Sequence, residues 1–332
     1  MTSDVFQAYR EPLELALKAA LPEDHSPLSA SARYVMGWED ENGHPSEAGG
    51  KRLRPLATCH IGTLLGAPLE RVLPGAVAIE LIHNFSLVHD EIQDEDATRH
   101  GRPTLWARLG TAQAINVGDL LFARAFTALS VSSDKELTGA FTTVLTGAVE
   151  RMIRGQWSDL EFEQRTDVSA DEYLEMVAGK TGALLGACGA IAALAAGRDR
   201  ATVDAFQRWG VSIGLAFQAQ DDYLGIWGDS AETGKSNTND IARRKKSLPL
   251  LLGLAEPGTR DVILRAFANE QPEELEVVAV AAALADAGIG DRSLSMARAF
   301  QAEAESLLQA VPGEAARTGL LSMGRLLVDR ER

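Results

Sequence analysis

The sequence predicts an all-α fold, a single helical bundle around a central cavity, and three observations carry that expectation. Apolar residues recur at three- and four-residue spacings over 13–20, 72–88, 111–130, 141–160, 173–196 and 202–224, the period of one helix face. Runs of alternating β-branched residues and Asn-Gly hairpin signals are missing between them. Carboxylates gather in two places, His89-Asp90-Glu91-Ile92-Gln93-Asp94 and Gln218-Ala219-Gln220-Asp221-Asp222-Tyr223, and bundles build sites from side chains projecting inward from facing helices.

In chain order, the helix over 13–20 is followed by a segment at 39–50 rich in Gly, Pro and acidic residues, which reads as a loop. Lys51, Arg52 and Arg54 before Pro55 mark a helix start. The helix over 72–88 runs into the first carboxylate group, and 95–103 has loop composition. Four long helical patterns follow, the last ending in the second carboxylate group, and 228–239 reads as a third loop. The stretch 274–310 fits closing helices with a turn at Gly288-Ile289-Gly290. No Pro/Ser-rich linker, composition break or repeat of roughly 20–50 residues divides the chain, so one domain over 1–332 is expected.

A net charge of −15 argues against general nucleic-acid or anionic-membrane binding. Against that background three basic clusters stand out, Lys51/Arg52/Arg54, Arg99/His100/Arg102 and Arg243/Arg244/Lys245/Lys246, and an acidic chain that concentrates cations beside its aspartates is expected to take an anionic ligand. Cys59 and Cys188 form no CxxC, so neither a disulfide framework nor a zinc site is indicated. The first ten residues lack a signal-peptide apolar core, and 182–197 falls short of the roughly 20 residues of a membrane span, so no transmembrane segment and a cytoplasmic location are expected.

Asp90 and Asp94 are four apart, so on a helix their carboxylates share one face about 6 Å apart. That spacing suits a hard divalent cation, and Mg²⁺ is commonly held by one or two carboxylates plus substrate phosphates. Asp221 and Asp222 make the second acidic group, and Gly101-Arg102 and Gly234-Lys235 follow the two groups with cations. The expectation is a polyanionic substrate gripped through metal.

Six ordered elements resemble the trans-isoprenyl diphosphate synthases. They are Gly49-Gly50-Lys51-Arg52-Leu53-Arg54-Pro55, the run from His83 through Asp94 to Arg99-x-Gly101-x-Pro103-Thr104, Gly179-Lys180-Thr181, Phe217-Gln218-x-x-Asp221-Asp222, Gly234-Lys235 with Asp240, and Lys245-Lys246-Ser247-Leu248-Pro249. The resemblance is strongest over 49–249. It implies an isoprenoid-synthase bundle in which an allylic diphosphate loses its diphosphate and the double bond of isopentenyl diphosphate attacks the resulting carbocation. By resemblance, Asp90, Asp94 and Asp221 bind Mg²⁺, with Asp222 an occasional ligand or a support behind them. Arg99, Lys180 and Lys235 contact the allylic diphosphate, with Lys245 further out. Lys51, Arg54 and His83 bind isopentenyl diphosphate, to which the position of His100 also belongs. Gln218 and Thr181 turn oxygen dipoles toward the cation, and the departing diphosphate serves as base. Two plainer alternatives stand beside these: Gln218 hydrogen-bonds Asp222 one turn on, and Thr181 bonds its own backbone.

The chain departs from the family's usual pattern at three positions. Glu91 stands where a second Asp is common, His100 where a second Arg is common, and Gly225 where many members carry Asp. His100 is shorter and mostly neutral at pH 7, and Arg102 in the same loop is the candidate to compensate. Family members read product length from the residues four and five before the first Asp, here Ser86 and Phe85; one aromatic floor resembles enzymes making C20 chains, ahead of C15. The resemblance also implies a homodimer, with 110–128 as a contributor. Two other readings are a class I terpene cyclase, which would take no isopentenyl diphosphate, and a non-catalytic partner subunit of a prenyl synthase. The last residues, Asp329 to Arg332, are either a basic closure over the site or a solvated tail.

Overall fold

The computed structural model describes residues 5–99, 101–132, 134–228, 239–242, 244–268, 272–311 and 313–328. His100, Gly234, Lys235, Arg243 and the Asp329–Arg332 tail lie outside the described residues, as does most of the loop expected at 228–239. All six periodic stretches are helical. The chain groups into two compact units, residues 1–147 with 187–204 and residues 148–186 with 205–332.

The first unit holds α1 (Gln7–Ala20), α2 (Pro27–Val35), α3 (Leu53–Leu64), α4 (Leu69–Gln93), α5 (Leu105–Leu109) and α6 (Thr111–Ser130). Ser26 starts α2: its hydroxyl accepts the Ser29 N–H at 3.2 Å, and Pro27 supplies a pre-set φ at the first helical position. α4 is apolar nearly all round between Val72 and Val88, which is the pattern of a helix enclosed by others, and it packs on α3 and α6. Its burial matters because it carries Glu80, His83, Phe85 and Asp90 into fixed positions. Where the composition at 95–103 reads as loop, the structure has a short hairpin, Thr98–Arg99 paired antiparallel with Arg102–Pro103. Two residues a side is too short for any alternation to show in the sequence.

The second unit takes in the end of α7 (Lys135–Gln164), α8 (Ala170–Val177), a π-helical turn at Ala178–Gly182, the start of α9 (Ala183–Ala195) and most of α10 (Arg200–Trp227). Helices at Asn239–Ala242, Leu248–Ala255, Pro257–Phe267, Glu274–Asp286, Ile289–Leu307 and Glu314–Val328 complete it. Its core joins Phe162, Tyr173, Ile226, Leu251, Ile263 and Leu284. A full capping box opens α8: Ser169 Oγ accepts the Glu172 N–H at 3.2 Å, and Glu172 Oε2 accepts the Ser169 N–H at 2.9 Å.

Two helical runs, Leu69–Gln93 and Ala170–Ala195, are long and apolar enough to cross a membrane. The second exceeds the 182–197 stretch apparent in sequence because the helix already begins at Ala170. Buried shares of 67% and 72% in their apolar windows make them core helices of this fold.

Candidate active site

A cavity of about 270 Å³ opens in the first unit, where the loop before α3, the middle of α4 and the hairpin converge. Lys51, Arg54, His83 and Arg99, four of the candidate substrate contacts, line it together. Arg54 Nη1 donates to His83 Nε2 at 3.2 Å. A guanidinium can only donate, so His83 Nε2 accepts and its proton sits on Nδ1. Burial, with Arg54, Arg99 and Arg52 close by, holds the His83 pKa well below the usual value. Arg54 Nε and Arg99 Nε are buried N–H donors with no hydrogen-bond partner. Leaving such donors unmade is costly, and two of them on cations facing one cavity call for an anionic acceptor.

The neutrality of His83 has a consequence for stability. Its folded pKa lies below the unfolded value of about 6.5, so the unfolded chain binds the extra proton first, and stability is lost as pH falls below that value. Thermal unfolding between pH 7.5 and 5.5 is expected to show the wild type losing about 1.4 kcal/mol more than His83→Gln by the lower pH. Equal losses in the two proteins would contradict a buried neutral imidazole.

α4 ends at the first carboxylate group. Asp94 is the C-cap, its N–H bonded to the Asp90 carbonyl at 2.8 Å, so the last helical turn sets the two side chains on one face. Asp90 is half-buried and Asp94 exposed. Glu91 turns the other way, is buried, and lines the cavity with its Oε1 3.8 Å from Arg99 Nε. Burial pushes its carboxyl up to about 7 against the pull of Arg99. The extra methylene therefore serves an inward contact, away from the Asp90/Asp94 face. Among the described residues no three His, Cys, Asp or Glu side chains gather into a metal cage. Two oxygen donors on one helical face nevertheless fit Mg²⁺, which completes its shell with water and phosphate oxygens.

In the second unit Asp221 is half-buried, whereas Asp222 is fully enclosed. Tyr173 Oη donates to Asp222 Oδ2 at 2.6 Å, the Leu248 N–H to Oδ2 at 2.9 Å, and Gln218 Nε2 to Oδ1 at 2.9 Å. Both oxygens are thus occupied, which fits Asp222 to holding α8, α10 and the helix from Leu248 in register rather than to direct metal contact. Gln218 takes the plainer of its two alternatives by bonding Asp222. Lys245 Nζ lies 3.9 Å from both Asp222 Oδ1 and Asp240 Oδ2; burial opposes its charge, but Asp222, Asp240 and Asp221 outweigh it and raise its pKa. A Cβ at position 225 would sit 2.5 Å from Asp240 Oδ2, so a side chain there would collide with Asp240.

Lys180 and Thr181 lie in the π-helical turn, the irregular element that often marks functional sites inside helices. Lys180 Nζ donates to Asp159 Oδ2 at 2.6 Å. Sequence reasoning missed Asp159. The available signal was Gly155 within a helical pattern, where a Cβ would come 2.3 Å from the Lys180 backbone nitrogen. Arg102 lines the cavity but stacks on the Tyr34 ring at 4.2 Å and donates to the Glu39 carbonyl at 2.9 Å. Arg52, grouped with the ligand-binding cations in sequence, turns its guanidinium into the protein toward Glu80.

Phe85 is buried, and its ring meets His89 at 4.7 Å and Phe122 at 5.2 Å between centroids. Phe122 continues to Phe126 at 5.1 Å. Phe85 on α4 thus meets an aromatic file that continues along α6 through Phe122 and Phe126, while Ser86 Oγ bonds back to the His83 carbonyl at 2.8 Å.

Helices in the first unit thus set guanidinium donors without hydrogen-bond partners round a cavity, with a carboxylate pair at the end of α4. The chain belongs to the polyprenyl synthetase family, whose pattern matches residues 41–284. It is a prenyltransferase of the trans-prenyl diphosphate synthase type. It is 40% identical over 264 residues to a (2E,6E)-farnesyl diphosphate synthase of Mycobacterium tuberculosis, covering 78% of this chain and 73% of that one. With a geranylgeranyl diphosphate synthase of the same organism it shares 34% over 316 residues, 95% of this chain and 90% of the other. The crystal structure of a polyprenyl synthetase from Streptomyces coelicolor A3(2) superposes with a TM-score of 0.90 at 37% identity, covering 99% of this chain and 100% of that one.

Proposed function

We propose that the protein condenses isopentenyl diphosphate head-to-tail with an allylic diphosphate in a Mg²⁺-dependent reaction, giving chiefly a C20 prenyl diphosphate and secondarily C15. The observation that carries the reading is the cavity in which Lys51, Arg54, His83 and Arg99 meet with two guanidinium N–H groups lacking a hydrogen-bond acceptor. A diphosphate supplies the acceptors those donors lack. Lys51 and Arg54 bind isopentenyl diphosphate, and neutral His83 orients Arg54 by accepting its proton donor. Arg99 and Lys180 draw on the allylic diphosphate. The C–O bond of that substrate breaks with its electron pair leaving on the diphosphate; the isopentenyl double bond forms the new C–C bond, and the departing diphosphate removes one proton. Asp90 and Asp94 on α4, and Asp221 on α10, would hold Mg²⁺, which would neutralise the leaving charge.

Product length is assigned to Phe85 and the smaller Ser86; the relatives carry farnesyl, geranylgeranyl and geranylfarnesyl names alike. Phe85→Ala is expected to lengthen the main product by at least one C5 unit, read by sizing the dephosphorylated alcohols. An unchanged product profile removes Phe85 from the floor. A second copy of this chain is the proposed partner, on the α5–α6 side where Leu109 and Ile115 are exposed.

The test is purified protein with Mg²⁺ and radiolabelled isopentenyl diphosphate, offered dimethylallyl, geranyl and farnesyl diphosphate in turn. Label in a C20 alcohol supports the reading. Label in none of the three overturns it in favour of a cyclase or a partner subunit.

A further inference from the structure

Arg52 sits between Lys51 and Arg54 yet has a different fate from either. Its backbone is left-handed, φ 51° and ψ 36°, at the N-cap of α3, an uncommon conformation for a side chain with a Cβ. Its guanidinium is only 5% exposed. Nη1 donates to Glu80 Oε1 at 2.8 Å, Nε to Glu14 Oε1 at 3.0 Å, and Nη2 to the Met36 carbonyl at 2.6 Å. Glu80 is itself 5% exposed and takes a further bond from Asn84 Nδ2 at 3.0 Å. Glu14 also accepts Trp38 Nε1 at 2.9 Å. A Cβ at position 49 would lie 2.7 Å from Arg52 Nη2 and 2.8 Å from the Met36 oxygen, so the guanidinium occupies the space that Gly49 leaves open.

Three acceptors in three directions, from α1, α4 and the loop after α2, suit a forked guanidinium and no other side chain. With its charge facing Glu80 and Glu14, Arg52 has little left to offer a diphosphate. We propose that Arg52 is a positioning residue: its buried clamp to Glu80, Glu14 and the Met36 carbonyl holds the 49–52 bend so that Lys51 and Arg54 face the cavity. Diphosphate affinity is thereby tied to the docking of α1. The inference rests on the reading of this cavity as the isopentenyl diphosphate site.

Glu80→Gln discriminates, since it removes no cation from the cavity. If Arg52 bound diphosphate directly, releasing it from Glu80 would leave affinity unchanged or raise it. If Arg52 positions the bend, affinity falls. In calorimetric titrations of the full chain with isopentenyl diphosphate, Glu80→Gln and Arg52→Lys are each expected to raise Kd at least tenfold, and the milder Glu14→Gln about threefold. KM for the allylic diphosphate is expected to stay within twofold. Amide hydrogen exchange over 49–53, measured without ligand, is expected to quicken at least tenfold in Glu80→Gln and Arg52→Lys. Unchanged exchange in Glu80→Gln overturns the proposal, as does an affinity loss in Arg52→Lys with no change in exchange. Should the wild type take no isopentenyl diphosphate, the synthase reading fails and the exchange rates alone decide the clamp.

Discussion

Asp90→Asn is expected to lower kcat about 10³-fold, equivalent to roughly 4 kcal/mol of lost transition-state stabilisation. Asparagine keeps the shape of the side chain and one acceptor oxygen at the last turn of α4, but removes the negative charge that a hard cation needs. In the proposed reaction charge develops on the leaving diphosphate, so a weakened grip on the proposed Mg²⁺ would be felt chiefly in the transition state and therefore in kcat. Isopentenyl diphosphate binding is expected to hold within twofold, because the contacts proposed for it are Lys51, Arg54 and His83. The helix end is half-open to solvent, so the melting temperature moves little. Steady-state kinetics with both substrates, beside calorimetric binding of isopentenyl diphosphate, separates these effects. A variant within tenfold of wild-type turnover sinks the assignment of Asp90 to the metal.

The helical skeleton was legible because each long helix has a face that must be buried, and burial writes a 3.6-residue period into the chain. Lys51, Arg54 and Arg99 were visible as local cations on an acidic chain, whereas His83 came forward only through the family resemblance. What sequence does not carry is direction. Lys51, Arg52 and Arg54 look alike as letters, and only the left-handed backbone at position 52 turns the middle one inward. Asp221 and Asp222 are told apart in sequence only by the family resemblance, and α10 sets one half-buried and the other wholly enclosed. Ser247 is another case. It stands where an N-cap belongs, yet its hydroxyl caps nothing, and Asp222 accepts the Leu248 N–H from another helix. The π-helical turn under Lys180 leaves no composition signal either, since it differs from α-helix only in which carbonyl each N–H meets.

Asp222→Ala is the substitution expected to damage the fold most. Its carboxylate accepts from Tyr173, Gln218 and the Leu248 N–H, and Lys245 stands 3.9 Å away. Truncation leaves the Tyr173 hydroxyl and the first N–H of the Leu248–Ala255 helix buried without acceptors, where each loses more than the bond contributed. Removing one member of a buried charged network typically costs about 3–5 kcal/mol, and for a chain of this size that is roughly a 4–7 °C fall in melting temperature. Asp222→Asn separates the two components of that loss. Burial already opposes the charge, raising the Asp222 pKa above the ordinary carboxylate value, so an uncharged side chain of the same shape gives up little. It retains an oxygen for Tyr173 and Leu248, and the Gln218 amide can reverse to accept from its NH₂. Asp222→Asn is therefore expected to cost only about 1 kcal/mol. Differential scanning calorimetry of the three proteins at pH 7.5 decides the matter. A fall within 1 °C for Asp222→Ala would mean that water replaces the carboxylate, whereas equal large falls for both variants would make the charge itself, held against burial by Lys245, the source of the stability.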